Sequence, residues 1–204
     1  IGENIMTSYL SSEGGCASGV CAGSDILLEE GKASSTGFVV PGAEIKIINP
    51  RGSFDEEVAI GEIGEIAIKS ASTALGYFSD SALKEKQFSN GWWRSGDLGY
   101  ISHEGLLYVR GRLDNRINTG GIKVHAEDVE ACLLQHPDII LAAVIGIPDK
   151  KWGQKITAHL VVSDPNLCAD AILEFCLMSD FLPSTHLPKE FCFHDKLPVG
   201  PTGK

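Results

Sequence analysis

A lysine in a glycine- and proline-rich turn is the first residue of this sequence that could take part in chemistry. Lys204 follows Pro201-Thr202-Gly203. Proline fixes φ and glycine permits backbone bends closed to other residues, so such a turn can carry a lysine away from its own domain. Its ammonium group could then act as a point charge in a neighbouring active site. The alternative is that residues 201–204 form an ordinary tail.

A second candidate is the segment Tyr9-Leu10-Ser11-Ser12-Glu13, which joins an aromatic ring, two hydroxyls and a carboxylate in a short loop beside glycines. Such a loop could stack on a base, hydrogen-bond a phosphate oxygen and hold Mg²⁺. The alternative is an ordinary serine-rich loop, because residues 1–40 are rich in Gly, Ser and Ala and show no clear helical period.

A third candidate is an aspartate between two glycines, in residues 93–99, which read Trp-Arg-Ser-Gly-Asp-Leu-Gly. We expect a tight turn at this position. In such a turn the carboxylate of Asp97 could accept hydrogen bonds from both hydroxyls of a ribose. The alternative is that Asp97 bonds the backbone of its own turn.

A fourth candidate lies in residues 111–124, where the hydrophobic pattern changes. Arg112 could bond a phosphate or a ribose, and Asp114 could absorb a change in φ and ψ as a hinge. Gly120 and Gly121 would permit the close approach of a thin ligand. The alternative is a hairpin whose turn is the Gly-Gly pair.

The composition limits the classes of function. The chain has 204 residues, of which 43% are hydrophobic and 22% charged, as expected for one or two globular domains. The formal charge of -10 argues against a nucleic-acid binder but leaves room for a nucleotide site with local cations. No apolar run approaches the ~18–20 residues of a membrane span, and no secretory leader is visible.

The six cysteines form no C-x-x-C pair and have no spacing typical of zinc sites. We expect them to be reduced packing residues of a cytoplasmic protein.

Hydrophobic periodicity predicts an α+β (mixed) fold in two parts. Alternation predicts strands near 43–48, 65–69 and 106–109, which indicates a small β-barrel or a β-rich subdomain. After Arg112 the pattern predicts a compact α+β unit. In this unit we expect helices at 127–136 and 170–182, and strands at 139–147, 156–162 and 191–193.

Taken in order, these motifs resemble those of the adenylate-forming (AMP-binding) superfamily, which includes acyl-CoA ligases, carrier-loading adenylation domains and luciferases. YLSSE is similar to that family's Tyr-Gly-x-Thr-Glu motif, and RSGDLG to its Ser/Thr-Gly-Asp motif. The resemblance covers essentially the whole chain. Its other matching segments are GEIGEI with the following Gly76-Tyr77, GRLDNRINTGGIKV with the following Glu127-Asp128-Val129-Glu130, and PTGK.

The resemblance implies a nucleotide site in residues 1–113, which would be the β-rich end of a large AMP-binding domain. Tyr9 would stack on adenine, Ser12 would contact phosphate, and Glu13 would help to hold Mg²⁺. Asp97 would bind the ribose hydroxyls of ATP or AMP, and Arg112 would contact ribose or phosphate.

The resemblance also implies a small mobile C-terminal domain in residues 114–204. Asp114 would be its hinge, and Gly120 and Gly121 would line the pantetheine tunnel for coenzyme A in a second conformation. Lys204 would bridge the substrate carboxylate and the α-phosphate. A lysine and Mg²⁺ would offset the charge of the two reacting anions.

The sequence departs from the family pattern at three places. Leu10 replaces a glycine, Ser12 replaces a threonine, and Val199-Gly200 stands where the family often has a basic residue. The family's phosphate loop does not precede Tyr9. We therefore expect a C-terminal part of a longer enzyme, whose N-terminal part would be its partner and without which it would be inactive.

The function implied is that of an ATP-dependent acyl-CoA ligase, which activates a carboxylic acid as an acyl-adenylate and transfers it to CoA. The Thr-Gly-Gly run before Ile122 resembles CoA ligases more than carrier-loading domains. The alternatives are a carrier-protein-loading adenylation domain and a non-catalytic or split nucleotide-binding fragment.

Overall fold

The computed structural model describes residues 6–21, 32–78, 86–178 and 181–198, most of which lie in β-strands. The chain divides into two units, Ile1–Leu113 and Asp114–Lys204. Within the described residues the fold is α+β and rich in strands, as the sequence predicts.

The first unit is built on one antiparallel sheet. Its strands are β1 (Met6–Ser11), β2 (Gly15–Cys21), β3 (Gly37–Val39), β4 (Ala43–Ile48), β5 (Gly64–Ser70), β6 (Phe88–Ser89), β7 (Trp92–Ile101) and β8 (Leu106–Arg112). Their order is β1-β2-β3-β8-β7-β5-β4, and β6 pairs with β7. Because β3 pairs with β8, chain segments far apart in sequence share one sheet.

Strand β5 is buried along most of its length because β4 and β7 flank it. Even its acidic residue Glu65 is buried, and burial raises the pKa of that carboxyl. Arg94 on β7 offsets this cost with an Nη1–Oε2 ion pair of 2.7 Å, which keeps the buried carboxylate partnered. The apolar core of this unit includes the buried side chains of Ala17, Ile47, Ile66, Ile68, Trp93 and Leu107.

Two glycines allow neighbouring strands to approach closely, Gly64 between β5 and β4 and Gly99 between β7 and β8. Gly64 and Gly99 are paired across β5 and β7. A Cβ on Gly99 would lie 2.5 Å from the carbonyl oxygen of Tyr108, and a Cβ on Gly64 would lie 2.5 Å from that of Ile48. Side chains at these two positions would therefore push the backbones apart.

The second unit combines a five-stranded sheet with two helices among its described residues. These elements are β9 (Arg116–Thr119), β10 (Ile122–His125), α1 (Ala126–Leu133), β11 (Ile139–Asp149), β12 (Gly153–Val162), α2 (Ala169–Met178) and β13 (Glu190–Phe193). The order is β10-β9-β12-β11, with β13 parallel to β12. A short 3₁₀ helix, Ser184–His186, precedes β13.

The helices of the second unit pack their apolar faces on the sheet. Helix α1 buries Ala126, Val129, Cys132 and Leu133, and α2 buries Ile172 and Cys176. These side chains form one core with Ile156, Ala158 and Leu160 of β12.

The structure confirms most of the predicted elements and corrects two. Residues 9–13 were expected to form a short loop, but the first three of them lie in strand β1. Residues 93–99 were expected to form a tight turn, but they lie inside the ten-residue strand β7. The strand passes through them because Gly96 takes φ +71°, a conformation that glycine adopts without strain and that bends a strand locally. The predicted helices end earlier, at Leu133 and Met178, and residues 179–180 lie outside the described part.

The cysteines only partly match the expected packing role. Cys132 and Cys176 are buried thiols, whereas Cys16 and Cys168 are exposed. No helix of the described residues is long and apolar enough to cross a bilayer.

Two adjacent leucines test the core of the second unit. Leu133 is fully buried, while 47% of Leu134 is exposed. We predict that Leu133→Ala lowers the free energy of unfolding by about 2–5 kcal/mol, because it leaves a cavity in the core. Leu134→Ala should change it by about 0.5 kcal/mol or less. Urea unfolding of both variants measures the difference, and equal losses would contradict this assignment of the core.

Candidate functional site

The carboxylate of Asp97 is the centre of the candidate site in the first unit. The Tyr9 hydroxyl donates a hydrogen bond to Oδ2 at 2.5 Å, and Arg112 Nη1 donates one to Oδ1 at 3.1 Å. Three residues that the sequence singled out separately are therefore in direct contact. Asp97 is mostly buried, with 17% of its side chain exposed, whereas 51% of the Arg112 side chain is exposed.

The strand register sets this geometry. Asp97 and Arg112 lie directly opposite each other on β7 and β8. The backbone N–H of Asp97 donates to Ser95 Oγ, whose own proton goes to the carbonyl of Ile66. A Cβ on Gly96 would approach Arg112 Nη2 to 3.2 Å, so the glycine also leaves room for the guanidinium.

Tyr9 is held as a neutral phenol. Burial, and then the hydrogen bond to Asp97, raise the pKa of Tyr9 well above its usual value. Its hydroxyl therefore remains a donor to the carboxylate. A carboxylate offers about four lone-pair positions, of which Tyr9 and Arg112 use two, so Asp97 retains capacity for two further donors such as the hydroxyls of a diol.

Ser12 and Glu13 lie in the turn between β1 and β2. Ser12 is exposed, and Glu13 is half-buried with Oε1 accepting a 3.1 Å hydrogen bond from Tyr77. No cluster of three His, Cys, Asp or Glu residues suited to a metal occurs in the described part of the chain. A lone carboxylate nevertheless fits Mg²⁺, which is commonly held by one or two carboxylates, several waters and substrate phosphates.

Gly120 and Gly121 form the turn of a hairpin in the second unit. They connect β9 and β10, whose residues Thr119 and Ile122 are paired, and they have φ +57° and +84°. Positive φ at both turn residues is typical of a two-residue type I′ turn, which requires glycine or a close substitute. This hairpin was the structural alternative for these glycines, and their contact with a ligand stays a prediction.

A groove of about 270 Å³ lies beside this hairpin. Thr119, Gly120, Trp152 and Lys189 contribute to its lining. The Gly120 N–H donates to the Trp152 carbonyl at 2.7 Å, and a Cβ on Gly120 would lie 3.0 Å from the indole. The ammonium groups of Lys151 and Lys189 lie 4.7 and 5.7 Å from the Trp152 ring centroid. The groove thus combines a narrow glycine wall, an aromatic ring and positive charge.

Asp114 is exposed in a turn at the division between the two units. Before it, the Leu113 N–H donates to the Gly96 carbonyl within the first unit. After it, Asn115 Nδ2 donates to Glu127 Oε1 within the second. The hinge role of Asp114 stays a prediction. Lys204 and Val199-Gly200 lie outside the described residues.

The motifs did not identify several residues of these sites. Tyr77 belongs to a matched segment, but nothing in the sequence indicates its contact with Glu13, 64 residues away. Trp152 and Lys189 lie outside the motifs altogether.

Comparison with known proteins gives one family match and several relatives. Residues 128–204 match the AMP-binding enzyme C-terminal domain. The chain is 36% identical over 188 residues to a long-chain-fatty-acid–CoA ligase of Mycobacterium tuberculosis, covering 90% of this chain and 36% of that ligase. It is 38% identical over 144 residues to the 2-succinylbenzoate–CoA ligase of Bacillus licheniformis, covering 71% and 30% respectively. The chain spans about a third of the length of the curated relatives that it matches.

Solved structures give the same kind of match. The o-succinylbenzoate CoA synthetase of Bacillus subtilis, in complex with its acyl-adenylate intermediate, superposes with a TM-score of 0.87 at 31% identity. The superposition covers 98% of this chain and 40% of that one. The same synthetase in complex with ATP and Mg²⁺ gives a TM-score of 0.84 at 30% identity, over 98% and 39%.

The Tyr9–Asp97 contact predicts how stability changes with pH. The folded protein keeps the Tyr9 proton, which the unfolded chain releases near pH ~10. The unfolded state then binds fewer protons, so the free energy of unfolding should fall as the pH rises above about 10.

Tyr9→Phe should make that fall shallower, and at neutral pH it should cost about 1–3 kcal/mol for the lost hydrogen bond to a carboxylate. Urea unfolding of the protein and the variant at neutral and alkaline pH provides the test. An unchanged slope would mean that Tyr9 ionises normally in the folded protein.

Proposed function

Because the chain belongs to the adenylate-forming, AMP-binding superfamily, we propose that it is part of an ATP-dependent acyl-CoA ligase. Such an enzyme joins a carboxylic acid to AMP with release of pyrophosphate, and then transfers the acyl group to the thiol of coenzyme A. The whole enzyme selects the acid and the acceptor, and this chain supplies part of its nucleotide site and part of its acceptor site.

The Asp97 carboxylate is the observation that carries this proposal. It is oriented by Tyr9 and Arg112 and retains capacity for two more hydrogen-bond donors. The two adjacent hydroxyls of a ribose match that capacity. Arg112, half exposed beside the carboxylate, offers a cation to the ribose or a phosphate of the same nucleotide. The partly buried ring of Tyr9 would stack on the adenine.

Two further residues of the first unit, Ser12 and Glu13, suit the phosphate end of the nucleotide. Ser12 is an exposed hydroxyl that would bond a phosphate oxygen, and Glu13 would hold Mg²⁺. When bound, Mg²⁺ would supply charge neutralisation for the approach of a carboxylate to the α-phosphate. Lys204 would add a further positive charge at the same oxygens.

The second unit suits the acceptor thiol. Gly120 and Gly121 present a side-chain-free wall that a thin pantetheine arm can follow. Trp152 lines the groove beside them, and the ammonium groups of Lys151 and Lys189 lie 4.7 and 5.7 Å from its ring centroid. An aromatic ring and two cations suit the adenine and phosphates of coenzyme A, which supports CoA over a carrier protein as the acceptor.

Asp114 would serve as the hinge that brings the two sets of residues into use in turn. No disulfide joins the described cysteines Cys16, Cys132, Cys168, Cys176 and Cys192, which supports a reducing compartment such as the cytoplasm.

The direct test uses the complete natural protein that contains this chain. We expect AMP to be released only when ATP, Mg²⁺, a carboxylic acid and CoA are all present. Acid-dependent exchange of pyrophosphate into ATP without any acyl transfer to CoA would instead indicate a carrier-protein acceptor. The absence of exchange with a broad panel of acids would contradict the proposal.

The role of Asp97 can be tested by an isosteric change. In the complete protein, Asp97→Asn removes the charge that Tyr9 and Arg112 orient, and should raise the KM for ATP by about tenfold or more. Asp55→Asn is the matched control, because its exposed side chain lies on the same unit. Steady-state kinetics at varied ATP compare the two, and equal KM values for the two variants would refute the role of Asp97.

The role of Lys204 can be separated by half-reaction. Lys204→Ala in the complete protein should reduce adenylation by at least about a hundredfold, since it removes a positive charge at the reacting anions. Thioester formation from supplied acyl-adenylate should be nearly unchanged. Measurement of both half-reactions decides the matter, because equal losses would contradict a role confined to adenylation.

A further inference from the structure

The loop that carries Glu13 is held by hydrogen bonds from residues 70–77. Ser70 Oγ donates to the carbonyl oxygen of Gly14 at 3.3 Å, and the N–H of Ala74 donates to that of Glu13 at 2.7 Å. The third contact is to the carboxylate itself, where the Tyr77 hydroxyl lies 3.1 Å from Glu13 Oε1. Both the backbone and the side chain of Glu13 are therefore fixed by the same segment.

The Tyr77 hydroxyl lies between two polar side chains. It is 3.1 Å from Glu13 Oε1 and 2.9 Å from Gln87 Oε1. A hydroxyl has one proton, so it can donate to only one of two oxygens. Both contacts are favourable when the Gln87 amide is turned by about 180°, so that its nitrogen donates to the hydroxyl and the hydroxyl donates to the carboxylate. The amide then strengthens the hydrogen bond that Tyr77 gives to Glu13.

The ring of Tyr77 is itself fixed. It packs edge-to-face on Phe88 with centroids 5.4 Å apart, and Phe88 lies 6.5 Å from Trp93. Phe88 and Trp93 are paired across β6 and β7, and Trp93 is buried. The position of the hydroxyl is thus set by the sheet and not by a freely rotating side chain.

We propose that Tyr77 is a positioning residue for the magnesium-binding carboxylate of Glu13. Its hydroxyl holds Oε1, and in the described part of the chain no hydrogen bond to Oε2 competes with a metal ion. This inference rests on the proposed function, since Mg²⁺ enters through the ATP-dependent reaction. The described part of the chain holds no cluster of three His, Cys, Asp or Glu residues suited to a metal, so metal binding would depend strongly on the orientation of the Glu13 carboxylate.

Tyr77→Phe in the complete natural protein is the first test, because it removes the hydroxyl and keeps the ring against Phe88. We expect the affinity for Mn²⁺, used as a spectroscopic substitute for Mg²⁺, to fall by about tenfold in the presence of a non-hydrolysable ATP analogue. Electron paramagnetic resonance of free Mn²⁺ measures this binding without turnover. Tyr100→Phe is the matched control, since Tyr100 stacks on Tyr108 and no described hydrogen bond joins it to Glu13.

A double-mutant cycle separates positioning from a general structural role. In a Glu13→Gln background, Tyr77→Phe should cause no further loss of Mn²⁺ affinity, because the carboxylate that it orients is gone. An equal loss in both backgrounds, or an unchanged affinity in Tyr77→Phe alone, would overturn the inference. Circular dichroism melting of each variant shows whether the fold is kept.

The same experiments distinguish this inference from the proposed function. A wild-type protein that releases AMP in an acid-dependent reaction, but whose metal affinity does not respond to Tyr77→Phe, would retain the function and lose the inference. A wild-type protein that binds no Mn²⁺ with the nucleotide analogue and releases no AMP would lose both.

Discussion

The first unit depends on the pairing of one largely buried charge. The carboxylate of Asp97 would be costly in the sheet without partners, and Tyr9 and Arg112 supply them from β1 and β8. These partners lie 88 residues before it and 15 residues after it, so the contact ties distant segments to one atom group. The positive φ of Gly96 and the hydrogen bond from Asp97 to Ser95 follow from the same need, because they hold the strand where the carboxylate can meet both partners.

The two units use one physical strategy for different surfaces. In the first, two acidic side chains are each restrained by a tyrosine hydroxyl: Tyr9 restrains Asp97, and Tyr77 restrains Glu13. In the second, a two-residue turn fixes a backbone without side chains next to the Trp152 ring. The first arrangement suits a polar ligand that offers hydroxyls and phosphates, and the second suits a slender ligand that needs room more than hydrogen bonds.

The sequence predicts much of this structure where a local pattern carries the information. Strand β4 alternates in sequence, and α1 repeats apolar residues with helical period, so both are recognisable in advance. The strands β1 and β2 are not, because their Gly, Ser and Ala residues carry little hydrophobic signal. Strand β7 is misleading for a different reason, because Gly96 and Gly99 suggest a turn. Individual site residues were recognisable from motifs, but the contacts of Asp97 with Tyr9 and of Glu13 with Tyr77 depend on strand order, which no local pattern encodes.

The link between the two units is mechanically short. Leu113 is fastened by its N–H to Gly96, and Asn115 is fastened by its side chain to Glu127, so a single residue separates the two attachment points. Under the hinge proposed at Asp114, a link this short would leave little room for any motion other than rotation. Any reorientation of one unit would have to be concentrated in a few backbone dihedral angles of the link, which would act as a pivot. The pivot would then be a fixed point of the molecule, and the arc travelled by any residue of the second unit would be set by its distance from that point.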